Sequence, residues 1–414
     1  MITVKPFRGV RPPQQFVIDI VSRPYDVLSS AEAFDESKGN EKSLYHIIKP
    51  EIDFWPIIDE HDERVYAKGV ENYALFKDKG WLIKDQQPCY YLYAQQMGDH
   101  KQYGFVLTAS VDDYLEGRIK KHELTRIDKE QDRMRHVRET SANIEPVFLA
   151  FKHNDVLEDI ITLVSESNAP TYAFTSADGI GHEFWVIDSD VFIDDITYEF
   201  SEMEAMYIAD GHHRSAAAAK VGEEMRKSNP GSSGEEEYNY FMAVCFPENQ
   251  LKIMDYNRLV KDLNGYSSEE FLSRMKDYFE ILLESKDYLY PSKLHQFSIY
   301  IDGKWILFEA KKESCGNDII SQLDVSISSK FILDEILGIK DLRTDKRIDF
   351  VGGIRGYEEL KQRVDSGEMR LAIALYPVSM QELMAVADNG QIMPPKTTWF
   401  EPKLRSGLVI HDLL

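Results

Sequence analysis

Apolar positions along the chain change period repeatedly, and each change predicts an element. Val65, Val70, Tyr73, Ala74 and Phe76 recur at intervals of three and four, which predicts a helix between Glu60 and Lys79, closed by Gly80. Cys89–Gln96 and Gln102–Val111, rich in Tyr, Val, Phe and Leu, flank a Gly98-Asp99 turn and predict a hairpin. Ser43–Ile48 reads as a short strand and Pro146–Phe151 as a buried one; Asp155–Ser167 reads as a helix, and Asp178-Gly179 centres a second hairpin. Ala205–Ala209 is a strand leading to a helix over Ser215–Lys227, which opens with the alanines Ala216–Ala219. After the loop Asn229–Glu237, Tyr240–Phe246 resumes a core strand, and Leu251–Val260 follows as another. Composition shifts at Lys261–Gly265, which sets an expected boundary between domains 1–260 and 261–414. Past it, Ser267–Ser285 and Ser328–Ile339 read as helices and Phe297–Phe308 as a hairpin about Asp302-Gly303. No fixed-period repeat is present.

Composition narrows the class. With 414 residues, 43% of them hydrophobic, the chain can bury sizeable cores in two domains. A formal charge of −23, from 48 Lys and Arg against 71 Asp and Glu, argues against nucleic acid as a partner. Cys89, Cys245 and Cys315 lie far apart with no CxxC spacing, as expected of a reducing compartment. The opening residues carry no signal-peptide run, and no segment has the ~20 apolar residues of a membrane helix. A cytoplasmic protein acting on a small molecule, away from membranes, is therefore expected; a homodimer is compatible with this.

Ile208-Ala209-Asp210-Gly211-His212-His213-Arg214 carries the strongest chemistry. A strand ends at Asp210, read as an N-cap, and a helix starts at Gly211, where absent side-chain bulk admits a ligand to the backbone. The first helical turn offers unpaired N–H groups and a partial positive charge. His212, His213 and Arg214 add donors, and an Arg can grip phosphate with two parallel hydrogen bonds. Three potential cations at a helix start oppose its dipole by roughly 0.3–1 kcal/mol each, so a bound anion is expected there. On this reading Arg214→Ala abolishes anion binding and spares the melting temperature. Adjacent histidines project about 100° apart on a helix, so one metal ion is not expected to take both.

Other groups divide between functional and structural readings. Asp26, in Arg23-Pro24-Tyr25-Asp26, is either a base facing a cleft or a turn residue capping a helix at Ser30–Phe34. His122, Thr125, Lys129, Asp132, Arg133 and His136 follow helical spacing; the face is either a solvated, salt-bridged surface or a pocket wall, with Glu130 and Asp132 as magnesium ligands and Arg133 as a phosphate contact. Arg258 ends a strand and is either a second arginine of the site or half of a structural ion pair. Lys396-Thr397-Thr398 reads as a docked loop, and Gly352-Gly353 lacks dinucleotide spacing.

The Asp-Gly-His-His-Arg element resembles the signature of the bacterial domain-of-unknown-function family numbered 1015. Pro6–Pro12 with Arg23–Val27, His122–Thr125 with Lys129–Arg133, and Pro394–Lys403 resemble its N-terminal, central and C-terminal patterns. The element is also similar to that of free serine kinases with a ParB/sulfiredoxin-like fold, which transfer the β-phosphoryl group of ADP to free serine. The resemblance implies an α+β chain: a ParB/sulfiredoxin-like mixed-sheet N-terminal domain with insertions, followed by a C-terminal α/β domain. It implies that Gly211, His212, His213 and Arg214 hold the phosphates of ADP or ATP and that Asp210 orients the turn; the residue pattern itself adds Mg2+ and the candidate contacts Arg133 and Arg258. Read from the residues themselves, Asp26, Asp210 and His212 are the catalytic candidates, in phosphoryl transfer to a hydroxyl acceptor such as serine. A nucleotide-binding switch without kinase activity and a metal-dependent hydrolase using His212 or His213 are the competing expectations.

Overall fold

The computed structural model describes residues 1–414. The chain forms two compact units, Met1–Leu251 with Pro402–Leu414, and Lys252–Glu401. Each combines helices with strands, an α+β arrangement.

The first unit is organised by a nine-stranded sheet. Its strands are β1 (Val4–Lys5), β2 (Tyr90–Met97), β3 (His100–Ser110), β4 (Ile119–Lys120), β5 (Val147–Phe151), β6 (Tyr172–Thr175), β7 (Gly181–Ile187), β8 (Met206–Asp210) and β9 (Tyr240–Pro247). Their spatial order is β4-β8-β5-β9-β3-β2-β7-β6, with β1 on the end of β3. The sheet is mixed: β4 with β8 and β5 with β9 run parallel, the other pairs antiparallel. Every residue of β5 and β9 is buried, which explains their continuous apolar runs.

The five longest helices of this unit are α1 (Glu63–Asp78), α2 (Ile127–Thr140), α3 (Asp155–Ser167), α4 (Asp190–Ser201) and α5 (His212–Ser228). Leu157, Ile160 and Val164 of α3 and Ile196 and Phe200 of α4 close the sheet core around Phe105, Leu149 and Phe151. The alanines of α5 serve two neighbours. Ala216, Ala218 and Ala219 join the sheet core, whereas Ala217, with Val221, packs on Met134 of α2. Methyl-sized side chains let α5 approach both closely.

The second unit has a six-stranded antiparallel sheet containing β10 (Tyr256–Val260), β11 (Phe279–Ser285), β12 (Gln296–Ile301), β13 (Lys304–Ala310), β14 (Ile348–Gly352) and β15 (Leu371–Leu375), in order β11-β13-β12-β15-β10-β14. The chain passes into this unit at Lys252 rather than near residue 261, because β10 pairs on both sides, with β14 and β15.

Several expected elements take another form. Ser43–Ile48 holds a helical turn, Tyr45–Ile48, rather than a strand; a short buried apolar run fits either. The expected helix Ser267–Ser285 stops at Tyr278, and the rest is β11, paired with β13. Leu251–Val260 is interrupted into Ile253–Met254 and β10. The helix at Ser328–Ile336 is wide, with Leu337 N–H reaching Ile332 O at 3.0 Å. No helix is long and apolar enough to cross a membrane.

Candidate functional site

The Asp210–Arg214 turn is shaped by its strand and its glycine. The register between β8 and β5 shifts between Ile208 and Asp210, a bulge that bends the strand end. Gly211 then adopts φ +91° as the N-cap of α5. A Cβ there would stand 3.2 Å from Arg214 Nε, so the left-handed backbone favours glycine and any side chain would also make the guanidinium behind it shift. Asp210 is not the N-cap that the sequence suggests; its Oδ1 accepts Gly211 N–H at 2.9 Å, one residue before the cap. The helix begins at His212, and its first hydrogen bond runs from Ser215 N–H to Gly211 O at 2.9 Å. The N–H groups of His212, His213 and Arg214 therefore have no acceptor within the helix.

The side chains relieve the expected charge conflict. Burial pushes His212 well below its ordinary range and also lowers His213, so both rings are neutral near pH 7. Arg214 is only 8% exposed. It donates through Nη1 to Pro146 O, and its Nη2 lies 3.8 Å from Asp26 Oδ2 and 3.6 Å from Asp210 Oδ2. The buried Glu145 faces the same guanidinium. Arg214 is thus a strut among carboxylates rather than a fork offered to phosphate. Burial raises the Glu145 carboxyl more than Arg214 and Arg133 lower it. Asp210 is also pushed up by burial, but Lys403, Arg214 and the Gly211 N–H outweigh this and hold it at about 2. Lys403 Nζ stands 3.5 Å from Asp210 Oδ2. His213 Nε2 accepts the Arg126 N–H at 2.9 Å.

Asp26 sits in the helical turn Tyr25–Val27 and its side chain is 39% exposed. It does not cap the next helix, Ser30–Ser37, which carries its own capping box from Ser29 and Glu32. Asp26 therefore joins the turn through Arg214. The Tyr25 N–H, one residue earlier, donates to Glu145 Oε1 at 3.0 Å.

The charged segment is not a solvated face. α2 starts only at Ile127, after His122 and Thr125, and buries Glu130, Asp132, Arg133 and His136. Arg133 lies 3.8 Å from the Tyr25 ring centre, donates to Asp132 Oδ2 through Nε at 2.9 Å and Nη2 at 2.6 Å, and stands 3.6 Å from Glu145 Oε2. It supports the site from behind Tyr25 instead of lining it. Asp132 also accepts the Tyr66 hydroxyl at 2.6 Å and faces His61 Nδ1 at 3.2 Å. Glu130 pairs with Lys220 and accepts Thr125 Oγ1 at 2.9 Å. Both carboxylates are committed to cations and hydroxyls, so this pair does not fit a magnesium ion. Arg258 belongs to β10 of the second unit, where Nη1 donates to Tyr256 O and Nη2 to Lys396 O at 2.9 Å. Its role there is to hold backbone, at a loop residue, Lys396, whose φ is +59°.

Lys403, Glu145 and Arg126 were not among the residues singled out from sequence. Lys403 lies 193 positions from Asp210, and only its place in the C-terminal pattern marks it. Glu145 precedes the Pro146 strand and carries no local signal of burial.

These features define an α+β protein whose mixed sheet delivers a strand to a glycine-capped helix start, ringed by His213, Lys403 and Asp26. The chain belongs to the family described as "Protein of unknown function (DUF1015)", whose model matches residues 4–326. No curated protein matches the sequence. Among solved structures, the chain is similar to a free serine kinase in complex with AMP (16% identity, 73% of this chain and 92% of that one, TM-score 0.37). It is also similar to a conserved hypothetical protein from Pyrococcus furiosus (15%, 75% and 97%, TM-score 0.36) and to SbnI with a C-terminal truncation from Staphylococcus aureus (11%, 73% and 87%, TM-score 0.37).

Proposed function

We propose that this chain binds the phosphates of a nucleotide at the start of α5 and transfers a phosphoryl group to a small hydroxyl-bearing acceptor. The observation that carries the reading is the Asp210–Arg214 turn. It offers N–H groups at a 17-residue helix start, with the Lys403 ammonium 3.5 Å from Asp210 and the part-exposed Asp26 beside them. Phosphate oxygens would take the N–H groups of His212–Arg214 and the Lys403 ammonium, with His213 at the margin. Arg214 would fix Asp26 and Asp210 in place rather than touch the nucleotide.

In the transfer, the acceptor oxygen forms a bond to phosphorus while the bond from phosphorus to the departing nucleotide oxygen breaks. Asp26 takes the acceptor proton. The motif resemblance to free serine kinases makes ADP and free serine the first pair to test. Incubation of the full chain with ADP, magnesium and serine, followed by phosphorus NMR, should give O-phosphoserine and AMP. Asp26→Asn should remove turnover while nucleotide still binds. Binding without a phosphorylated acceptor, for serine and other small hydroxy acids alike, would refute the transfer step.

A further inference from the structure

The two histidines of the turn part company. His213 reaches outward to Arg126. His212 turns inward, 6% exposed, and its Nε2 has no hydrogen-bond partner. A buried polar atom left in this state is costly, so its surroundings bear on function. Parallel pairing of β4 with β8 matches Ile119 to Met206 and Lys120 to Tyr207. Carried forward along both strands, this register brings His122 beside the end of β8 and the start of α5. The His122 ring, 1% exposed, meets the His212 ring edge-on, centroids 4.5 Å apart at 87°. Glu123 follows His122. One ligand-capable atom from each of His122, Glu123 and His212 falls within 4.8 Å of the others.

We propose that His122, Glu123 and His212 form a binding site for one divalent transition-metal ion of the zinc type, directly behind the turn. Two imidazoles and one carboxylate suit zinc and its neighbours far better than magnesium, which prefers an all-oxygen shell. Donors around such an ion stand about 2.0–2.2 Å from it, so the three groups need only a rotamer-scale movement, which the part-exposed Glu123 can supply. The His122 imidazole hydrogen-bonds to the Ile208 backbone carbonyl, the kind of outer contact that orients a metal-bound histidine. With three protein ligands, a fourth position remains for water or a ligand oxygen. The site stands apart from the phosphate reading, since nucleotide plays no part in forming it.

The test uses the full chain, stripped with a chelator and free of nucleotide, titrated with Co2+ and followed by visible absorption, with Zn2+ as competitor. One ion per chain is expected, with the intense visible bands of low-coordinate cobalt, displaced by zinc. Glu123→Gln, at a part-exposed position that leaves the core intact, should weaken binding by more than the ~10–100-fold lost with an orienting partner alone. His212→Ala should abolish the bands. Substoichiometric uptake by the wild-type chain, or uptake unchanged in Glu123→Gln, would overturn the assignment.

Discussion

A surface arginine that grips phosphate can be removed without harming the fold; a buried strut cannot. In Arg214→Met the side-chain volume is nearly kept and the charge is lost. Removing one partner of a buried ion pair costs about 3–5 kcal/mol, because the other charge is stranded. Asp26 is 39% exposed and screened by water, so it adds little. Asp210 keeps Lys403 and the Gly211 N–H. Glu145 keeps Arg133 at 3.6 Å, the Tyr25 N–H at 3.0 Å and the Ser406 hydroxyl at 3.2 Å. These compensations place the loss near the lower end, about 3 kcal/mol, or about 6–12 °C in melting temperature at ~2–4 °C per kcal/mol. Thermal and urea unfolding of the wild-type and variant chains measure this directly. The sign with pH is also fixed. Without Arg214, burial drives the Glu145 carboxyl further up, so the penalty is largest at neutral pH and shrinks as falling pH protonates Glu145. Adding Glu145→Gln to Arg214→Met should recover part of the loss. An unchanged melting temperature, or strictly additive effects in the double variant, would refute the strut.

Gly211→Ala should destabilise by at least the roughly 1–2 kcal/mol of a left-handed non-glycine residue, with more from the displaced Arg214; a neutral result in urea unfolding would contradict the assigned turn. Burial and Arg133 hold His136 at about 4, and burial and Arg405 hold His182 at about 3. Below pH 6.5 the unfolded chain takes up protons that these native rings refuse. Stability should therefore fall from pH 6.5 towards pH 4, each ring contributing about 1.4 kcal/mol per pH unit within its window. Denaturation at pH 7.5, 6 and 5 checks this, and a flat profile would exclude it.

The strand-to-helix turn of the candidate site is legible in the sequence because a strand, a glycine and a run of donors occur together within a few residues. The partition of roles is not. His212, His213 and Arg214 are consecutive, but only the strand pairing of Ile119 with Met206 turns one ring towards His122. The packing of α2 on α5 buries charges that look solvated when read on one helix. Arg133 and Asp132 lie side by side in sequence, and nothing local announces that Tyr25 and Tyr66 cover them. Long-range pairs such as Lys403 with Asp210 depend on the C-terminal segment rejoining the first unit. The secondary-structure reading failed where a short apolar run fits two periods, as at Tyr45–Ile48, and where a helix passes directly into a strand, as at Tyr278-Phe279.

The most direct test of the phosphate-binding turn is isothermal titration of the full chain with ADP and magnesium, beside Lys403→Met. The account predicts saturable binding to the wild-type chain. It predicts a loss of about 10–100-fold in the variant, equivalent to one charge-assisted hydrogen bond of about 1.5–3 kcal/mol. Absence of binding at millimolar nucleotide, or equal affinity in Lys403→Met, would contradict it.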